Sequence, residues 1–155
     1  MTSAKSNIDS TRINLRSIRL LESQFSTSDQ FLKNQVTPTR IDAQIGHETR
    51  VNPDSNFLGI RLNIKLNALD DNDQDLGLKA QYLIQFGYTI VNLKELVQTD
   101  AEELNIDPQL HTTIISISYS TARGIILERT QGSYFNGVLL PILNPSDIIK
   151  SKIEE

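Results

Sequence analysis

The segment DPQLHTTIISISYSTARGIILERTQGS, residues 107–133, decides the fold. Read for local propensity, its IISISYS run is a strand: β-branched residues dominate, and Ile115, Ile117 and Tyr119 alternate with serines. Read from its ends, it is a helix. Asp107 stands as an N-cap before proline at the first helical position, and Gly132 supplies a stop. Ile115, Tyr119, Ala122 and Ile126, spaced i, i+4, i+7 and i+11, give such a helix one apolar face. The start of the segment fits both readings; from Tyr119 onward it fits the helix, which would run about 36 Å over residues 108–131.

The chain then continues YFNGVLLPILNPSDII, residues 134–149. Val138, Leu139, Leu140, Ile142, Leu143, Ile148 and Ile149 fall here, interrupted by Pro141 and Pro145. Proline breaks regular elements, so compact burial is hard to arrange and the tail is a candidate surface for apolar material.

Upstream lie four strand-like segments. In residues 15–26 the alternation inverts near Leu20 and Leu21, as one extra bulged residue would cause. Residues 40–51 place Ile41, Ala43 and Ile45 on one face. In the third segment Leu58, Ile60, Leu62, Ile64, Leu66 and Ala68 alternate with polar residues and Gly59, so one face is buried and the other wet. The fourth aligns Ala80, Tyr82, Ile84, Phe86, Tyr88 and Ile90. The connections VNPDSN and DDNDQDLG have turn composition and hairpin length, predicting antiparallel neighbours. Thr99 with Glu102 reads as a capping box for a short helix at residues 100–104. The expected architecture is α+β: a four-stranded antiparallel sheet with one long and one short C-terminal helix packed on one face.

Composition narrows the function. At 155 residues, one domain with a proper core is expected; residues 1–12 are polar and expected to fray, leaving residues 13–155 as the domain. A net charge of −4 with scattered basic residues argues against nucleic acid as the main partner. The absence of cysteine excludes disulfides, thiolate metal sites and a cysteine nucleophile. The opening MTSAKSNIDSTR lacks an apolar signal core, and no apolar run nears the ~20 residues that span a bilayer, so a cytoplasmic protein without membrane insertion is expected.

Catalytic and metal-binding patterns are weak. Asp71, Asp73 and Asp75 begin like a calcium loop, but Leu76 replaces its glycine and Tyr82 its closing glutamate, so a solvated turn is expected. His47 and His111 sit in different elements without the spacing of a metal or base–nucleophile pair. No glycine arrangement forms a phosphate loop. Arg123 is expected to make a salt bridge, to Glu128 or to a neighbouring subunit.

The layout of four strands, connector, long helix, apolar loop and short closing helix resembles the SecB family of export chaperones. The residues that carry the resemblance are Tyr119-Ser120-Thr121-Ala122-Arg123, Leu139-Leu140-Pro141-Ile142-Leu143-Asn144 and Leu21-Glu22-Ser23. Ser120 and Thr121 stand where that family has proline and tyrosine before Ala-Arg, so the chain looks like its divergent members.

The resemblance implies a non-enzymatic, ATP-independent holdase without cofactor. It would be a homotetramer, a dimer of dimers, binding unfolded or nascent polypeptides for export or for a toxin–antitoxin pair. By position, the client groove would be lined by Phe135, Val138, Leu140, Ile142 and Leu143, with Ile148 and Ile149 on the closing helix. Of the acidic positions that contact the translocation motor, only Glu22 matches; Ile18 and Gln85 or Ile84 occupy the others, so motor binding is not expected to carry over. Two other functions fit the same tail: a pocket for a small ligand or lipid, or a surface used only for assembly.

Overall fold

The computed structural model describes residues 8–100 and 102–151. Asp9 caps a single 3-10 turn, Ser10–Arg12, which leads into strand β1, Ile13–Thr27. A short helix α1, Asp29–Asn34, precedes β2, Arg40–Asn52; β3, Phe57–Leu69; and β4, Asp75–Ile90. The β2, β3 and β4 strands form the antiparallel meander that their turns predict, and β1 returns to pair with β4, giving the order β1-β4-β3-β2. The register of β1 slips between Leu20 and Glu22, so Leu21 is the extra residue of the expected bulge.

The alternation in β3 and β4 translates directly into packing. Leu58, Ile60, Leu62, Ile64, Leu66 and Ala68 are buried, as are Ala80, Tyr82, Ile84, Phe86, Tyr88 and Ile90. Helix α2, Pro108–Thr130, covers this face. The Asp107 carboxylate accepts from the Gln109 and Leu110 amides, satisfying donors that the first helical turn leaves open. The expected stripe of Ile115, Tyr119, Ala122 and Ile126 is buried against the sheet.

The strand-like wording survives as helix because its ends are capped and its apolar stripe is buried. Three of its hydroxyls, on Thr113, Ser116 and Thr121, donate to the carbonyl four residues back. Ser118 faces the core and bonds the Tyr88 hydroxyl at 2.8 Å, a polar tie between helix and sheet in an apolar layer. Replacing Tyr88 by phenylalanine leaves the buried Ser118 hydroxyl short of this partner and is expected to cost about 1 kcal/mol, read from urea unfolding midpoints.

Residues 97–106 depart from the expected helix. Val97–Asp100 (β5) and Glu103–Ile106 (β6) form a two-stranded hairpin instead, with Asp100 paired to Glu103. Glu102 adopts positive φ at its tip, which a helical capping position does not allow. Helix α1 was not anticipated from sequence. Ser28 caps it through the Phe31 amide, and Phe31 enters the core. Gly77 lets this junction close: a side chain there would overlap the Ser28 hydroxyl, whose own amide donates to the Gly77 carbonyl at 2.8 Å. The closing helix α3, Pro145–Lys150, is capped by Asn144.

Candidate functional site

The loop between α2 and α3 is tied back onto α2 by specific hydrogen bonds. Thr130, buried at the last helical position, donates to the Ile126 carbonyl and accepts from the Val138 amide, both at 2.7 Å. Its carbonyl also accepts from the Gly137 amide, and positive φ at Gly132, Asn136 and Gly137 turns the chain back. Further along, the Tyr119 hydroxyl donates to the Pro141 carbonyl at 2.6 Å and Arg123 Nε donates to the Leu140 carbonyl at 2.9 Å. Ala122 between them is fully buried. The aromatic-x-x-Ala-Arg element therefore fixes the loop on the helix.

Arg123 thus makes no salt bridge to Glu128. Its partner is a backbone carbonyl. Substituting Arg123 with methionine keeps the stem packing but leaves the Leu140 carbonyl without its donor. The expected loss is about 1–2 kcal/mol in the urea midpoint, larger than for a neutral hydrogen bond because the donor is charged.

Fixing the carbonyls of residues 140 and 141 sorts the apolar side chains. Phe135, Val138 and Leu140 turn into the core, as does Ile148 on α3. Leu143 and Ile149 are half-buried. Ile142 projects with 86% of its surface exposed, and so does Leu139, at 68%, which the sequence reading left out of the groove lining. Nearby, half-exposed Phe25 of β1 meets Phe135 at 6.1 Å between ring centroids, and half-exposed Tyr134 meets Phe31 at 5.2 Å. Along β1, Leu15, Ile18 and Leu21 are also exposed. Leu15 and Ile18 lie on the core side of the sheet, opposite Tyr88 and Phe86, so the apolar layer continues uncovered at this edge.

Glu22 lies on the opposite, outer face of the sheet beside Leu83. The Asp71–Asp75 turn is closed by its own side chains: Asp70 caps the Asn72 and Gln74 amides, Asp73 pairs with Arg40, and Asp75 caps Gly77. No group of three or more His, Cys, Asp or Glu among the described residues converges on a metal-sized site.

The two histidines, 64 residues apart in sequence, come together. His47 on β2, 3% exposed, and His111 in the first turn of α2 meet with rings tilted 59° and centroids 5.8 Å apart. The Ser151 carbonyl accepts from both the His47 amide, at 2.8 Å, and His47 Nδ1, at 3.1 Å. A carbonyl can only accept, so the proton is on Nδ1. His111 Nε2 bonds Thr49 at 3.0 Å, and burial, followed by repulsion from His47, lowers its pKa to about 4. The pair closes one end of an open hollow of about 860 Å³ between the β2 edge, the β5–β6 hairpin and α3.

An α+β domain of four antiparallel strands under a long helix, with a loop bound back on that helix, is the SecB-like fold. Among solved structures, the chain is similar to the Mycobacterium tuberculosis Rv1957 SecB-like chaperone, solved in complex with a ChAD peptide from the Rv1956 HigA1 antitoxin. The TM-score is 0.60 at 17% identity, over 86% of this chain and 91% of that one. A Streptococcus agalactiae protein of unknown function aligns at a TM-score of 0.43 and 10% identity, over 84% of this chain and 97% of that one. No protein-family model and no curated protein matches the sequence.

Proposed function

We propose that this protein is an ATP-independent holdase that binds non-native polypeptide on the apolar surface around the loop of residues 131–144. The observation that carries the reading is the contrast within that loop. Its backbone is tied to Tyr119, Arg123 and Thr130, yet Leu139 and Ile142 are held out in water. A soluble domain gains nothing in folding from exposing them; apolar segments of a client gain about 25 cal/mol per Å² buried there. The SecB-like fold and the antitoxin peptide held by a neighbour of that fold support a polypeptide as the occupant.

Assembly completes the proposal. The uncovered apolar residues of β1 lie on a free strand edge of 15 residues, a surface suited to joining copies of the chain into a homotetramer. Half-buried Leu143 and Ile149 extend the client surface, and buried Phe135, Val138, Leu140 and Ile148 form its floor. The site of action is the cytoplasm, and the client is an exported protein or a toxin–antitoxin component.

The test is suppression of aggregation of several unrelated unfolded proteins, with particle mass followed by light scattering. Suppression at near-stoichiometric ratio is expected. No suppression with protein in excess sinks the reading.

A further inference from the structure

The outer face of the sheet carries a charge pattern that client holding does not use. Side chains alternate along each strand, and the cross-strand register aligns the outward positions in rows. One row reads Arg19, Gln85, Arg61 and Glu48 from β1 to β2, and the next reads Ser17, Gly87, Gly59 and Arg50. Arg16, beside the other irregularity of β1, also reaches this face and donates to the Thr89 hydroxyl at 2.8 Å. Within these two rows and at Arg16, four guanidiniums meet a single carboxylate, in a chain of net charge −4; Glu22, one row further along β1 beside Leu83, is the next acid on this face.

At the centre of this end lies Phe57. Its ring covers Gly59 and Gly87: a Cβ on either glycine would come within 3.2–3.3 Å of ring carbons. Phe57 as a whole is 37% exposed, leaving an apolar surface among the arginines. Glu48 shows how the arginines take a carboxylate: it lies 2.7 Å from Arg50 and 4.0 Å from Arg61. Arg61 Nε otherwise meets neutral Gln85, and Arg16 and Arg19 have no ion pair among the described residues. Charged residues on edge strands protect them from mispairing, which accounts for positions on β1 and β2. It does not account for Arg61 on central β3, nor for the exposed aromatic ring.

We infer that this arginine-rich end of the outer face docks an acidic polypeptide surface of a partner protein, with carboxylates on the guanidiniums and an apolar side chain on Phe57. Guanidinium forks match carboxylates in two-point geometry, and an apolar centre within a charged rim is how protein interfaces are organised. The chain as a whole is acidic and repels phosphate backbones, so polypeptide is favoured over nucleic acid.

The test is fluorescence anisotropy of a labelled peptide of alternating glutamate and alanine ending in leucine, titrated with the full chain at low and physiological salt. Saturable binding that weakens with salt is expected, and about tenfold weaker binding to the double variant Arg16→Ser, Arg19→Ser. Arg50→Gln, also at an exposed edge position, provides a second variant and is expected to weaken binding as well. Aggregation suppression by Arg50→Gln, which lies on β2 away from the proposed assembly edge, stays at the parent level, so the docking surface stands or falls apart from the holdase reading. Equal binding of a glutamine-for-glutamate peptide, unchanged affinity in the variants, or tenfold tighter binding of a single-stranded oligonucleotide each overturns the proposal.

Discussion

Serine at both Leu139 and Ile142 is expected to weaken aggregation suppression about tenfold or more while leaving the unfolding midpoint within about 0.5 kcal/mol of the parent. The two readouts separate because of where these side chains point. Leu139 is 68% and Ile142 86% exposed, so little apolar burial in the fold depends on either. Covered by a client, each would contribute about 1.5–3 kcal/mol, and losing both leaves only the half-buried neighbours to hold it. Leu140 between them provides the control. Its side chain is in the core, so Leu140→Ser is expected to cost about 2–5 kcal/mol by opening a cavity and burying a hydroxyl. Light scattering on the double variant decides between holding and assembly. If suppression is lost while particle mass is kept, the two residues touch clients. If the oligomer itself dissociates, they are assembly contacts. Full suppression by the double variant removes the loop from the client surface.

Why the sequence hid this division is a matter of periodicity. In β3 and β4 the alternation of two assigns every side chain to a face, and each apolar position identified there is buried. In α2 the cap residues and the i, i+4 row outweighed a β-branched run, because the Asp107 carboxylate accepts from the first-turn amides and the apolar row is buried on the sheet. Residues 131–144 have no period. Leu139, Leu140 and Ile142 are equivalent as apolar letters, and only the two hydrogen bonds from Tyr119 and Arg123 determine which of them faces out. The partner Arg123 has within the chain was hidden for a related reason: it is a carbonyl, and every residue has one, so no side-chain pairing rule selects it.

The β5–β6 hairpin failed differently. Thr99 and Glu102 match a capping box, yet Val97 pairs with Ile106 across the turn, and four such pairs outweigh a local signal worth about 1 kcal/mol. The short helix α1 was legible and overlooked: Ser28 before Asp29 is an N-cap with an acidic first turn. The histidine pair was not legible. It depends on the register of β2 against β3 and on where α2 crosses the sheet, neither of which can be read from residues 64 positions apart.

That pair makes the stability of the protein sensitive to mild acid. The folded-state pKa of His111, about 4, lies below its ordinary value of 6.5 because burial and the nearby His47 both disfavour the imidazolium. The unfolded chain therefore binds a proton that the folded chain refuses. The resulting stabilisation is complete above pH 6.5 and is lost as pH falls toward 4. Full conversion of the shift would exceed 3 kcal/mol; allowing for solvent at this partly open site, about 2 kcal/mol is expected between pH 7 and pH 4.5. Counter-charges that would offset this are engaged elsewhere. Glu48, which with Arg50 also borders the hollow, is paired with Arg50 and Arg61, and Asp107 caps the first turn of α2. The check is a set of urea midpoints over that pH range for the parent and for His111→Gln, which retains a hydrogen-bonding group for Thr49 and cannot take a proton. The parent curve should fall where the variant stays nearly level, until the lowered carboxyl of Asp75, held by the Gly77 amide, protonates at still lower pH. Parallel curves from pH 7 to pH 4.5 would remove His111 as the cause. A larger loss of hydrogen-exchange protection, relative to intrinsic rates, in α3 than in β3 on acidification would locate the loss where His47 donates to the Ser151 carbonyl, at the end of α3.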